Sequence, residues 1–331
     1  MSSPVFDLSY RNALSSKLLS RGPWWAIARQ ILKVNLKKRG LWVLTAFSGW
    51  WYLILIITVY VFEQIAVQGQ GNGIHRANTF FQRVQWGDQM LHAMQFGQIF
   101  LLFMALMCGA GSIANDNRSN ALLVYLSRRC TKADYLFGKW LGIFLSILIA
   151  YSVPHLFFLL YGSLTYLDYG FISRDPWVPL RLIAALPIIA AIYASLVVGI
   201  SSMFNQGRIA GAVLAATYFL SNLFTKAVQM VLMMQMFGHE PDRPSRRQMA
   251  QDFAPAQGFV NMFHLSIDGI VNGLAKHVMG FKGTNYSLLQ NSGLPAIHAP
   301  TLGIWVGLAL VVVVGSLGIA WRRIRAVEVV Q

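Results

Sequence analysis

Six long apolar runs constrain the fold of this chain more than any other feature of its sequence. Each is close to the roughly 20 residues that an α-helix needs to cross the hydrocarbon core of a bilayer. With 56% hydrophobic and only 12% charged residues among 331, the chain has too few charged groups to cover a soluble core of this size. The sequence therefore predicts an all-α polytopic membrane protein with six transmembrane helices, at about residues 41–62, 96–114, 141–161, 182–204, 209–237 and 301–321.

The distribution of charge predicts the orientation of these helices. Seventeen of the 27 Lys and Arg residues, but only four of the 12 Asp and Glu residues, fall in residues 1–40, 115–140, 205–208 and 322–331. Because positive charge collects on the cytoplasmic side of membrane proteins, we expect both termini to be cytoplasmic and the protein to lie in the cell membrane. The basic net charge of +15 is then a topology signal, and nucleic acid is not expected as a partner.

The chain divides into three parts on this basis: a cytoplasmic amino-terminal segment (1–40), a transmembrane domain (41–321) and a basic cytoplasmic tail (322–331). From Trp24 onward, apolar residues recur at helical spacing and basic residues fall largely between them. This pattern predicts an amphipathic helix in the inner membrane interface, in contact with membrane lipids. The alternative is a simple positive stop before the first span.

The longest connection on the predicted outer side is the loop 238–300, before the last span. Residues 259–281 are moderately apolar but interrupted by polar side chains, which predicts one or two short interfacial or external helices. His264 and Asp268 share one helix face, with His277 further along. A metal site is one interpretation, although two ligands without a clearly spaced third are also typical of a solvated helix.

The sequence contains no G-x-x-x-x-G-K-[ST] phosphate-binding loop and no recognisable catalytic or paired-cysteine metal motif. We therefore expect no cofactor and no enzyme activity in this chain, and any nucleotide hydrolysis would belong to a partner.

Polar side chains inside two of the predicted spans are candidates for contact with a transported substrate. Such groups usually face the interior of the bundle, water or another subunit. Hydrogen bonding between helices is the alternative interpretation. The candidates are His92, Gln95 and Gln98 at the outer end of the second helix, and Asn222, Thr225 and Gln229 in the outer half of the fifth.

The segment from Gly111 to Tyr151 carries the most specific pattern in the sequence. It begins with a small polar cluster that contains an acid, Asn115-Asp116. The pairs that follow are Leu122-Leu123, Leu126-Ser127 and the basic pair Arg128-Arg129. The sequence Tyr135-Leu136-Phe137-Gly138-Lys139 then leads into the third span. This segment resembles the ABC-2 type permeases, the membrane subunits of one large group of ATP-binding-cassette transporters. The six spans, the interfacial amino-terminal helix and the large outer loop are also similar to that family.

The resemblance implies a permease subunit of an ABC exporter. A second permease chain, identical or related, would pair with this one, and separate ABC ATPase subunits holding ATP and Mg²⁺ would dock beneath the pair. The first cytoplasmic loop would transmit closure of the ATPase to the helices, and a substrate would pass between the two permease chains. Carried onto this sequence, the coupling residues would be Asn115, Asp116, Arg118, Leu123 and Arg129.

Two other functions remain open from the sequence. One is a multi-span membrane enzyme acting on lipid, and the other is a membrane scaffold or sensor that transports nothing. A lone ATPase domain encoded beside this chain would favour transport over both.

Overall fold

The computed structural model describes residues 22–68, 84–121, 130–167, 170–237, 266–280 and 302–324. Within these ranges the chain forms helices and turns and contains no strand, which confirms the all-α prediction. The helices are α1 (Pro23–Leu36), α2 (Arg39–Ser48), α3 (Trp50–Gln68), α4 (Trp86–Gly109), α5 (Ala114–Arg118), α6 (Lys132–Thr165), α7 (Val178–Ser201), α8 (Gly207–Phe237), α9 (Ile267–Met279) and α10 (Leu302–Arg323).

Five unbroken helices in the described ranges are long and apolar enough to cross a membrane, and the bent pair formed by α2 and α3 raises the number to six. The two helices meet at Gly49 at an angle of 41°. A Cβ atom on Gly49 would lie 2.8 Å from the Cβ of Pro154, so only glycine permits this approach to α6. Just beyond the bend, the hydroxyl of Tyr52 lies 2.6 Å from Nδ1 of the fully buried His155.

The amino-terminal helix is present as predicted, and it lies directly against α6. A proline in its first turn suits a helix start, where the backbone N–H has no acceptor within the helix. A Cβ on Gly138 would lie 2.7 Å from the carbonyl oxygen of Trp24, and one on Gly142 would lie 2.9 Å from that of Ala28. The two glycines of α6 therefore allow the backbones of α1 and α6 to touch.

The second and third spans are longer than the apolar runs that predicted them. Helix α4 begins ten residues before the expected start at residue 96, because its polar first turns, including the buried Gln89 and His92, are covered by protein instead of lipid. Helix α6 has 34 residues and begins at a capping box formed by Thr131 and Asp134. At about 1.5 Å per residue, α6 is longer than the bilayer core is thick and must tilt or project beyond it.

The centre of the bundle is α7, which packs against α4, α6, α9 and α10. A Cβ on Gly199 would lie 2.8 Å from the carbonyl oxygen of Ser316, so α7 and α10 also approach at backbone distance. By contrast, α8 and α10 present many exposed apolar side chains, including Leu223 and Val311. Such faces suit contact with lipid or with another chain.

A helix forms inside the segment 259–281 as predicted, but it is not peripheral. Helix α9 packs against the spanning helices α4, α7, α8 and α10. Its apolar face, which includes Ile270, Val271 and Leu274, is buried, and the ring of Trp305 covers Gly273. The helix ends at Gly280, whose φ of 80° is the left-handed conformation that glycine supplies at helix ends.

Candidate functional site

The described polar clusters lie at two opposite ends of the bundle. We call the end that carries α5 the inner end and the end that carries α9 the outer end, following the charge-based prediction.

At the inner end, one serine hydroxyl positions the start of α5. Oγ of Ser201 accepts hydrogen bonds from the backbone N–H groups of Ile113 and Ala114, both at 3.1 Å. The same hydroxyl donates to the carbonyl oxygen of Ala110 at 2.8 Å. Because the first N–H groups of a helix have no acceptor within it, this residue at the end of α7 fastens the turn between α4 and α5.

The carboxylate of Asp116, predicted as a contact with an ATPase, is bound within the chain. Its Oδ2 lies 2.7 Å from Nζ of Lys139 and accepts a hydrogen bond from the Tyr135 hydroxyl at 2.7 Å. Lys139 also donates to the carbonyl oxygen of Ser112 at 2.8 Å. Asp116 and Lys139 both belong to the sequence motif described above. Their ion pair joins α5 to the first turns of α6.

Two asparagines of α5 bind the turn between α7 and α8. Oδ1 of Asn115 accepts from the backbone N–H of Gly207 at 3.3 Å. Nδ2 of Asn117 donates to the carbonyl oxygens of Ser202 and Phe204, at 3.4 and 3.2 Å. Helix α5 is therefore attached to the ends of α6, α7 and α8 as well as to α4.

The free surface of α5 lies at its end. Arg118, Ser119 and Asn120 are exposed, and Asn120 has a positive φ of 52°, which suits the tight turn there. The other two predicted coupling residues, Leu123 and Arg129, lie outside the described residues. Of the three coupling residues that the structure describes, Arg118 is the one that presents an exposed charge.

At the outer end, α9 carries polar side chains at intervals of four residues. Asp268, Asn272 and Lys276 share one face of the helix. Nε2 of Gln98 in α4 donates to Oδ1 of Asn272 at 2.6 Å. The hydroxyl of Tyr218 in α8 donates to Oδ1 of Asp268 at 3.1 Å. Helix α9 thus links the polar stripe of α4 to that of α8.

The ionisable groups of α9, which is not a spanning helix, are strongly affected by burial. Burial raises the pKa of the Asp268 carboxyl to about 6, against the opposing effects of the Tyr218 hydrogen bond and the positive charge of Lys226. Burial lowers the pKa of Lys276 to about 8, against the opposing negative charge of Asp88 in α4. Burial therefore disfavours the ionised form of both side chains.

Of the residues predicted to line a path, Gln98 contacts α9 directly through Asn272. His92 and Gln98 are almost completely buried, and Gln95 is partly buried. In α8, Asn222 is partly buried, and the hydroxyl of Thr225 donates to the carbonyl oxygen of Ser221 in its own helix at 2.8 Å. The side chain of Gln229 lies outside the described part.

Sequence reasoning missed the partners Tyr218, Asn272 and Lys276. The spacing of four that relates Asp268, Asn272 and Lys276 is visible in the sequence, and it would have indicated a polar face on a packed helix. The metal hypothesis gains no support: the described residues contain no group of three His, Cys, Asp or Glu side chains that could hold an ion. His264, one of its members, lies outside them.

Comparison with protein families gives one match that spans most of the chain. The family described as "ABC-2 family transporter protein" matches residues 25–322. The match begins in the first turn of α1 and ends in the last turn of α10. No curated protein matches the sequence. The matched region contains the motif of α5 and α6, the bent first span, and helix α9, which precedes the last span. This multi-pass membrane protein therefore belongs to the ABC-2 transporter family.

Proposed function

We propose that this ABC-2 permease subunit exports a substrate across the cell membrane, paired with a second permease chain and driven by a separate ABC ATPase. The ATPase would bind ATP and Mg²⁺ and dock on the inner end at α5. The observation that carries the proposal is the construction of α5, a five-residue helix with an exposed cationic end. Its remaining polar side chains fasten it to the neighbouring helices.

The exposed end of α5 suits a protein contact. The guanidinium of Arg118 carries five N–H donors that match a carboxylate on a partner. Ser119 and Asn120 add exposed polar groups beside it. Leu123 and Arg129, which follow in sequence, stay in the proposal as further contacts.

Movement of α5 would be passed to the bundle through its attachments. Asp116 holds Lys139 at the start of α6, Ser201 holds the end of α7, and Asn117 holds the turn before α8. A displacement of α5 when the ATPase closes would therefore shift the inner ends of three spans together. Such a shift is a two-state change that nucleotide binding can bias.

The outer end would form the exit of the path. The polar side chains of α4 and α8 meet α9 there, and two of the contacts join one side chain to another, Gln98 to Asn272 and Tyr218 to Asp268. Separation of α9 from these helices would expose His92 and Gln98 to a substrate. Gln95, Asn222, Thr225 and Gln229 stay in the proposal as further residues of the path. The exposed apolar faces of α8 and α10 are available to the second permease chain.

Affinity purification of the tagged chain in mild detergent, with mass spectrometry of the proteins that accompany it, tests this proposal. We expect an ATPase subunit with a phosphate-binding loop to co-purify and to show ATPase activity. Arg118→Ala should reduce its recovery roughly tenfold, the loss expected for one charged hot-spot contact. Arg323→Ala, which removes an exposed cation from the end of α10, is the matched control and should change recovery little.

Recovery of the permease chain without any ATPase, from membranes in which ATPase subunits are abundant, contradicts the proposal. Equal recovery with Arg118→Ala and Arg323→Ala contradicts the assignment of the contact to α5. The thermal unfolding of both variants shows whether either result comes from loss of fold.

A further inference from the structure

A cavity of about 400 Å³ lies at the inner end of the bundle, on the side of α1. Its walls come from α1, from the inner end of α4 with the turn that follows, and from Lys139 of α6. This volume is within the range of pockets that hold small ligands. Asn115 and Lys139, which line it, serve the transport mechanism proposed above, but that mechanism places no ligand in the cavity.

One wall of the cavity is apolar. Ile27, Ile31 and Val34 lie on one face of α1 and all line the cavity. Val34 is 49% exposed, and Gln30 beside it is also exposed. The cavity is therefore open along this edge of α1, where an apolar wall can receive the hydrocarbon part of a lipid.

The opposite end of the cavity holds a cation without a carboxylate partner. Nζ of Lys38 donates to Oδ1 of Asn35 at 2.8 Å and to the carbonyl oxygen of Met107 at 2.7 Å. An ammonium group has three N–H donors, so one remains for a ligand. Neither of the two ion pairs in the described residues includes Lys38, and the sequence contains no Asp or Glu between positions 8 and 62.

A hydroxyl group in the same cavity also lacks an acceptor. Oγ of Ser112 is buried and has no hydrogen-bond partner among the described residues. A buried polar atom of this kind is unfavourable unless something binds it. The other cation of the cavity, Lys139, is already paired with the carboxylate of Asp116 at 2.7 Å. Lys38 and Ser112 are therefore the two groups of this cavity that an anionic ligand would suit.

We propose that this cavity binds the phosphate group of an anionic phospholipid from the inner leaflet, with Lys38 and Ser112 as donors to its oxygens. The apolar face of α1 would contact the lipid chains. A phosphate oxygen accepts strong charge-assisted hydrogen bonds. The apolar wall and the excess of cations on α1 favour a lipid over a free phosphate. A soluble phosphate has no apolar part that would contact Ile27, Ile31 and Val34.

The bound lipid would join α1 to the turn that carries Ser112. That turn leads into α5, whose first N–H groups are held by Ser201. The inference does not depend on the identity of the ATPase or of the substrate, because lipid binding is measured on the purified permease chain alone.

The test uses the purified full-length chain, reconstituted in nanodiscs of phosphatidylcholine and phosphatidylglycerol and then transferred to detergent for native mass spectrometry. We expect phosphatidylglycerol to be retained in preference to phosphatidylcholine. Lys38→Ala should lower the retained phosphatidylglycerol roughly fivefold, and Ser112→Ala should lower it less. Lys38→Arg keeps the charge and should retain more lipid than Lys38→Ala.

Lys33→Ala is the matched control, because Lys33 is an exposed cation of α1, close to Lys38 in the sequence, that does not line the cavity. Equal losses with Lys33→Ala and Lys38→Ala, or equal retention of the two lipids, would overturn the proposal in favour of general attraction to anionic membranes. Displacement of the lipid by soluble glycerol phosphate, with equally tight binding of that compound, would show a site for a free phosphate. Since Ser112→Ala removes a hydroxyl without a described partner, its effect separates lipid binding from loss of fold.

Discussion

The inner and outer ends of this bundle use polar side chains in different ways. At the inner end, Ser201 and Asn117 bond to backbone atoms, and Lys139 bonds both to a backbone carbonyl and to the carboxylate of Asp116. At the outer end, Gln98 and Tyr218 bond to other side chains. A bond to the backbone fixes the position of a whole turn, whereas a pair of side chains can separate when either changes its rotamer. The inner end is therefore built to move as one piece and the outer end to open.

The largest expected effect concerns the ion pair of the inner end. Lys139→Met should lower the free energy of unfolding by about 3 kcal/mol, because it leaves the carboxylate of Asp116 partly buried without its cation. The purified protein in detergent, unfolded by heat, gives the measurement. The double variant Asp116→Asn with Lys139→Met should recover part of the loss. If Lys139→Met is as stable as the exposed control Lys33→Met, the inner end is not held in the way we describe.

The second effect is a pH dependence of the free energy of unfolding, caused by Asp268 at the outer end. Because the pKa of Asp268 is raised from 3.8 to about 6 in the folded protein, the folded state binds its proton more tightly than the unfolded state. The stabilising contribution is present below pH 3.8 and is lost as the pH rises through about 6. Relative to Asp268→Asn, the wild-type protein should lose up to about 3 kcal/mol across this window.

Tyr218→Phe sharpens the same measurement. The Tyr218 hydroxyl donates to the ionised carboxylate of Asp268 and so lowers its pKa. Its removal should move the window to higher pH. A thermal-stability difference between wild type and Asp268→Asn that stays constant from pH 4 to pH 7 contradicts the assigned burial.

A smaller effect is expected for the contact between α4 and α9. Gln98→Leu should cost about 1 kcal/mol, the usual net contribution of one hydrogen bond. A double-mutant cycle with Asn272→Leu isolates the pair, and its coupling energy should be of similar size. The exposed variant Gln30→Leu is the control. Additive effects of the two substitutions would show that the outer contact contributes no coupling and would weaken the contrast between the ends.

The smallest effect on stability is expected at the exposed end of α5. Arg118→Ala should change the free energy of unfolding by less than about 0.5 kcal/mol, as is usual for exposed side chains without special contacts. The same variant should lose most of its association with the ATPase. A clear loss of thermal stability would mean that Arg118 serves the fold of the inner end and does not primarily bind a partner.

The sequence predicted the spanning helices and the amino-terminal helix well, because the lipid environment demands continuous apolar runs. It placed the start of α4 ten residues late, since Gln89 and His92 are polar yet covered by protein. It also placed α9 at the periphery, although the apolar face with Ile270 and Val271 is buried among four spans. Hydropathy identifies the residues that contact lipid. It gives no information on polar residues that are buried against other helices.

The roles of the candidate site residues stay predictions, and the structure shows where the described ones lie. The motif that resembles the family led to Asn115, Asp116 and Arg118, which lie together in α5. The pairing of Asp116 with Lys139 depends on how α5 folds back on α6, and no local pattern contains that contact. Asp116 and Arg118 are alike in the sequence as charged loop residues, and only the fold separates the bound charge from the exposed one.

The bend at Gly49 has a consequence for the thickness of membrane that the first span can match. At about 1.5 Å per residue, the 13 residues of α3 that precede Glu63 extend about 20 Å, less than the hydrocarbon core of a bilayer. The ten residues of α2 supply the missing length, at an angle of 41° to α3. The thickness that the first span covers therefore depends on the angle at Gly49, and straightening at this single glycine would lengthen the span to suit a thicker bilayer.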